Sequence, residues 1–346
     1  PDDEKTLWGF NARPRVGLET HTPRTDIYLN GLLNYGYFPE RTDENSLDLG
    51  ADASLRHRTE RSVFSLAGNV ARATTRTTEI EDSGRDLSDS ERISVGGNGS
   101  WSYSLTERMA AGIQGGGSYV TYDTNQFDDF RTLTGGTFAT YQVTQQDSVR
   151  VNATYTNFET LTGPDNTSDV VVVNGVWTHV FHPQWQASLT LGGNYTSEEE
   201  DVQVGNTTVT QKDNQFGFDA GASVTYTEER GSISGSFTHG IAPSGVGRLV
   251  RRNALTLNTS YRATPTITFG FSTSFIQQEA LSGSSDDRNF VSAEPGVSWQ
   301  FLPEWSARVA YRFRTQQLDD EGRAYSNGGL ASVTWQLPSW GPNKGK

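Results

Sequence analysis

Six arginines stand at alternate, strand-like positions among small polar residues: Arg13 and Arg15 near the start, Arg150 mid-chain, and Arg308, Arg312 and Arg314 near the end. A guanidinium presents a rigid fork of donors that matches carboxylate and phosphate. The set therefore reads in one of two ways. It is either a basic ladder that guides an anionic solute or polysaccharide, or one side of cross-strand ion pairs. The acids that share its parity are Glu19, Asp48, Asp52, Asp219 and Glu294.

No other constellation assembles chemistry. The histidines, His21, His57, His179, His182 and His239, are dispersed and form no metal set. The acidic stretches lack the spacing of a calcium loop. There is no Ser–His–Asp arrangement, phosphate loop or metalloprotease motif, and Gly115–Gly117 falls within a strand pattern, away from any strand-to-helix turn. Neither enzymatic activity nor a cofactor is expected.

Strands must position these side chains. In Leu255–Tyr261 the positions Leu255, Leu257 and Tyr261 are apolar while Thr256, Asn258 and Ser260 are small and polar, a period of two that defines a strand with two unlike faces. After Ala263–Thr266 the beat resumes with Ile267, Phe269, Phe271 and Phe275 on one side and Thr268, Gly270, Ser272 and Ser274 on the other. The apolar sides of Val149–Tyr155, Trp185–Leu191, Phe216–Val224 and Trp305–Phe313 carry no charge, as a lipid face requires, since Lys or Arg there costs about 2–4 kcal/mol.

Seventeen such segments follow one another, from Leu7–Thr20 to Ser326–Leu337. Hairpin-sized connections such as His21–Thr25, Thr59–Arg61 and Leu302–Glu304 alternate with longer ones, and the longer ones hold the acids: Glu79–Asp86, Glu198–Asp201 and Asp319–Glu321. Barrels of bacterial outer membranes have short periplasmic turns and longer external loops. The expected fold is thus an all-β, transmembrane, antiparallel up-and-down β-barrel, with short turns periplasmic and acidic loops external. Such barrels have even strand numbers. An odd count predicts about 18 strands, with an initial strand upstream of Pro1 or supplied by something else, or 16 if the Leu7 segment is not part of the wall. Pro14 and Pro295 sit at outward positions and predict local bulges.

Composition agrees with this reading. Mean hydropathy is −0.59 over 346 residues, because a barrel hides its apolar half in alternate positions. No stretch of about 18 apolar residues exists, so a membrane helix is excluded and only a closed barrel could span a bilayer. A net charge of −13 argues against a nucleic-acid binder. The absence of cysteine suits the envelope, and the opening Pro-Asp-Asp-Glu-Lys suits a processed or trimmed chain. One barrel domain is expected over 1–346, with tails at 1–6 and 338–346.

Aromatic residues gather at strand ends, where rings sit at water–lipid boundaries. Trp101, Trp177, Trp185, Trp299, Trp305 and Trp335 lie near short turns, and Tyr119, Phe158, Tyr195, Phe216 and Phe290 near long loops. Lumen-facing positions are dominated by Gly, Ser, Thr and Asn. At this strand number that predicts an aqueous channel unless something plugs it.

Hairpins such as Leu255–Phe275 and Val297–Tyr311, with a short Thr-x-Arg or Pro-x-Trp turn followed by an aromatic-alternating strand, resemble the beta-barrel porins of Gram-negative bacteria, in particular outer-membrane barrels associated with exopolysaccharide export. The resemblance spans nearly the whole chain and implies an outer-membrane channel for polar solutes or polysaccharide, in contact with lipid. It also implies a strand before the segment Asp2–Thr20. A second reading is a scaffolding barrel that sheathes or anchors another envelope protein. The inward Val172 and Val176 of the valine-rich strand, together with the odd strand count, favour that reading.

Overall fold

The computed structural model describes residues 8–42, 45–75, 90–163, 166–204, 207–244, 248–281, 287–318 and 322–337. Alternation in the sequence becomes extended backbone along nearly all of them. The strands are β1 (Phe10–Ala12), β2 (Arg15–His21), β3 (Thr25–Tyr37), β4 (Ser46–Arg58), β5 (Ser62–Thr74), β6 (Glu91–Ser104), β7 (Met109–Tyr122), β8 (Phe130–Gln142) and β9 (Asp147–Thr160). They continue as β10 (Asn166–His182), β11 (Trp185–Val204), β12 (Thr207–Thr227), β13 (Gly231–Ser244), β14 (Arg248–Arg262), β15 (Ile267–Ala280), β16 (Arg288–Leu302), β17 (Trp305–Leu318) and β18 (Gly322–Trp335). All belong to one sheet of 18 strands. The tails at 1–6 and 338–346 and the acidic runs Glu79–Asp86 and Asp319–Glu321 lie outside the described residues.

Threonine builds the short turns. At Thr22, Thr59, Thr106, Thr144 and Thr264 the side-chain Oγ1 accepts the amide of the residue three further on, at 2.9 to 3.0 Å. The same threonines donate their own amides back across the turn, to the carbonyls of Thr25, Ser62, Met109, Asp147 and Ile267. A hydroxyl that mimics a backbone acceptor closes the turn without special dihedrals. Register then propagates by antiparallel pairing, as in Leu55↔Leu66, Trp101↔Ile113 and Trp305↔Trp335, which puts apolar residues opposite apolar ones.

Three expectations need correction. The first segment is two strands, β1 and β2, interrupted at Arg13 and Pro14, and both pair with β3. Proline lacks the ladder donor, so the pairing breaks there without a bulge. At Pro295 the register with β17 is the same on either side, Ala293↔Phe313 and Gly296↔Ala310, and the irregularity falls instead between Gln300 and Leu302 at the turn. The acidic run Glu198–Asp201, read as part of a long connection, lies instead within β11, and β12 resumes at Thr207. Val202 and Val204 keep the period of two through the acidic run.

Two compact units emerge from the contacts: Pro1–Trp177 with Thr190–Asp219 and Ile241–Val250, and Thr178–Leu189 with Ala220–Gly240 and Arg251–Lys346. The first contains a small core at the long-loop ends of its strands, where Val120, Tyr122, Phe127, Phe130, Phe158 and Val170 are buried. In the second, Ile276, Phe290 and Arg288 are buried at the same ends of β15 and β16. β1, β2 and β18 differ from the other strands described residue by residue, since each of their residues is exposed.

Candidate functional site: the polar face of the sheet

The apolar face leaves large side chains uncovered. Leu66, Ile113, Leu133, Leu191, Phe218, Leu255, Val309 and Val333 are all exposed. Between them the opposite face is a hydrogen-bonded surface of small groups. Ser232 meets Ser260 at 2.9 Å, Ser236 meets Thr256 at 2.7 Å, Thr178 meets Ser188 at 3.1 Å and Thr134 meets Thr156 at 3.1 Å. Asn152 donates to Asn174 at 2.9 Å and Asn194 to Asp219 at 3.2 Å. Directly opposed hydroxyls and amides are the sheet's own means of satisfying polar groups without filling space.

The predicted charged residues fall into separate groups on this face. Glu294 on β16 accepts from Arg308 Nη2 at 2.7 Å and from Arg312 Nε at 2.6 Å. Arg13 Nε donates to Asn11 and to Asn34, at 2.9 and 2.8 Å, and Asn34 donates to Asp48 at 2.6 Å, so Arg13 reaches this acid only through an amide. Asp52 accepts from Asn30 at 3.0 Å, and Glu19 binds His21 at 2.6 Å, so neither is an arginine partner. Arg15 opens β2 opposite Leu32. Arg150 donates to Asn152 at 2.6 Å and Gln114 at 3.2 Å, and lies 3.9 Å above the Phe138 ring. Arg314 pairs in register with Ser292 and Ser326. Cross-strand ion pairing thus joins Arg308 and Arg312 to one shared acid, whereas Arg13 and Arg150 are held by side-chain amides.

Sequence reasoning passed over three further polar-face arginines near the long loops, Arg92, Arg252 and Arg288. Parity could have found them, since Arg92 continues the row Ser94, Gly96, Asn98. It also misplaced two rings. Phe158 and Phe290 were expected in the outer girdle, but they are 0% and 1% exposed and face the polar side, where Phe158 packs on Phe130 with centroids 5.4 Å apart. Together with the stacked Tyr122 and Phe127, at 4.9 Å, they fill space that the small-residue rows elsewhere leave open.

The remaining girdle residues lie on the apolar side. Trp101, Trp177, Trp185, Trp299, Trp305, Trp335 and Tyr119 are exposed, and ring contacts link Trp299, Phe301, Trp305 and Trp335 along the short-turn end, at 5.4, 6.5 and 6.0 Å. Tyr195 packs at a tilt against Phe216, with centroids 4.9 Å apart, and donates to Asn214 at 3.0 Å, so its ring is apolar-side and its hydroxyl polar-bound. Above this level the outer face turns polar, with His239, Asn253 and Gln277 joined at 2.6 and 3.3 Å and Arg251 near Glu279 at 3.8 Å. Among the described residues no group of three or more His, Asp or Glu gathers as a metal site, and no helix is long and apolar enough to cross a membrane.

No protein-family profile matches the chain, and no curated protein does. Solved structures do. The copper transporter OprC aligns with a TM-score of 0.53 at 10% identity, over 98% of this chain and 68% of that one. The siderophore receptor PiuA from Acinetobacter baumannii gives 0.52 at 12%, over 94% and 65%. BauA, the ferric preacinetobactin receptor of the same organism, gives 0.51 at 10%, over 94% and 70%. The fold is a transmembrane antiparallel β-barrel. The chain spans 65 to 70% of the length of these three barrels.

Proposed function

We propose that the protein is a non-catalytic outer-membrane channel that passes polar solutes, with its short turns periplasmic and its long loops external. The observation that carries this reading is the polar face itself. A wall of paired Ser, Thr and Asn side chains opposite an uncharged apolar face is what a water-filled lumen within lipid requires. The three named neighbours are a transporter and two receptors, and their shared barrel supports a transport role. At 10 to 12% identity it carries none of their cargo to this chain. A polysaccharide strand is the polymeric form of such a solute, and the hairpin resemblance to exopolysaccharide-export barrels supports it.

The aromatic packing at the long-loop ends of β7–β10 favours a second reading, a barrel that is closed by its own side chains and serves to scaffold a partner. Single-channel recording in planar bilayers separates the two. Discrete conductance steps are expected from the channel. Barrels that insert, as judged by protease protection, yet stay electrically silent would overturn it in favour of the scaffold.

A further inference from the structure

On the polar face of β16 and β17 two arginines share one acid. Glu294 is the one carboxylate at the polar-parity positions of β15–β18 among the described residues, and Arg308 and Arg312 both pair with it. Glu294 is 13% exposed and holds Arg308 and Arg312 at once, while the two guanidinium side chains stay 52% and 38% exposed. Each arginine spends one of its five donors on this carboxylate, so several N–H groups of each point to solvent from a fixed base.

The surroundings leave room for a ligand. A Cβ on Gly296 would come within 3.1 Å of Ala310 Cβ and 3.4 Å of Arg308 Nε, so the glycine is what lets the guanidinium lie against the sheet. Opposite Arg312 stands Gly328, where a Cβ would meet nothing within 4 Å. Hydroxyls flank the arginines in register, with Ser298 and Ser332 beside Arg308 and Ser292 and Ser326 beside Arg314.

We propose that Arg308 and Arg312, set in place by Glu294, form a binding wall for acidic oligosaccharides. The guanidinium forks take the carboxylates, and the serine rows take the sugar hydroxyls. This rests on the channel reading, because it needs the polar face to meet solute.

The test is binding of oligogalacturonate, with a neutral maltooligosaccharide of equal length as control, to the folded, detergent-solubilised protein by calorimetry, a readout that needs no conduction. The acidic ligand should bind at least about tenfold tighter, and more so at low salt. Arg308→Gln with Arg312→Gln should abolish that preference. Glu294→Gln, which removes the competing carboxylate, should strengthen acidic-ligand binding severalfold. If the three residues are only a staple between strands, Glu294→Gln lowers the urea midpoint and leaves both ligands unchanged, which overturns the proposal. So does equal binding of the acidic and neutral ligands. Charge-dependent binding by an electrically silent barrel would sink the channel and spare the wall.

Discussion

Gly192 shows how tightly single residues are set on the polar face. A Cβ there would lie 2.4 Å from the Val173 carbonyl oxygen and 2.4 Å from Asn174 Cβ, both on the neighbouring strand. Neither is a flexible side-chain end that could swing away. Gly192→Ala is therefore expected to cost about 1–3 kcal/mol, the range for overpacking a filled site. Gly328→Ala, where nothing stands within 4 Å, should be neutral to within about 0.5 kcal/mol. Urea midpoints read from the heat-modifiable band on gels check the pair, and equal midpoints would mean that β10 and β11 part easily. Sequence parity alone put Gly192 on the polar face. It could not report the closeness of the next backbone, which depends on how β10 and β11 pair.

At the level of strands and turns, what was legible is what a bilayer enforces. Within lipid the two faces must differ, so the alternation in Val149–Tyr155 or Trp305–Phe313 marked both strand and face. Beyond the lipid that pressure lapses. This is why Glu198–Asp201 read as loop although β11 and β12 run on for 20 and 21 residues, well past the roughly 9–11 a tilted crossing needs. Phe158 and Phe290 were misread for the opposite reason. An aromatic near a strand end fits a girdle or a packed interior equally, and only parity, which places both with the polar set, tells them apart. The overhang makes orientation testable. Lys212 and Glu199, paired at 2.6 Å, stand beyond the Tyr195 level, while Gln184 lies in the short turn between β10 and β11. The chain has no cysteine, so single substitutions label cleanly. A membrane-impermeant maleimide should modify Lys212→Cys in intact cells and Gln184→Cys only after the outer membrane is permeabilised. The reverse pattern would turn the barrel over.

For the whole molecule the decisive property is strand sense. β2 leads into the short turn at Thr22–Thr25, and β18 starts where Gly322 pairs with Leu318, at the end of β17 away from its short turn, so both run from the long-loop side to the short-turn side. An up-and-down antiparallel ladder that begins and ends in the same sense holds an odd number of strands, whereas single-chain bacterial barrels hold an even one. Exposure points the same way, since all residues of β2 and β18 are uncovered while β17 keeps most of its residues at least half-buried. In hydrocarbon, backbone N–H and C=O groups left without partners cost several kcal/mol each, so a bare strand edge cannot persist there. One more strand, running from the short-turn side to the long-loop side, is therefore expected along β18. Amide hydrogen exchange over Arg323–Trp335 measures it directly in lipid nanodiscs. Successive N–H groups of a strand point to opposite neighbours, so with a further strand in place adjacent amides there should be protected alike. Protection of every second amide alone, with the others exchanging at least about tenfold faster, would mean that β18 is paired only with β17.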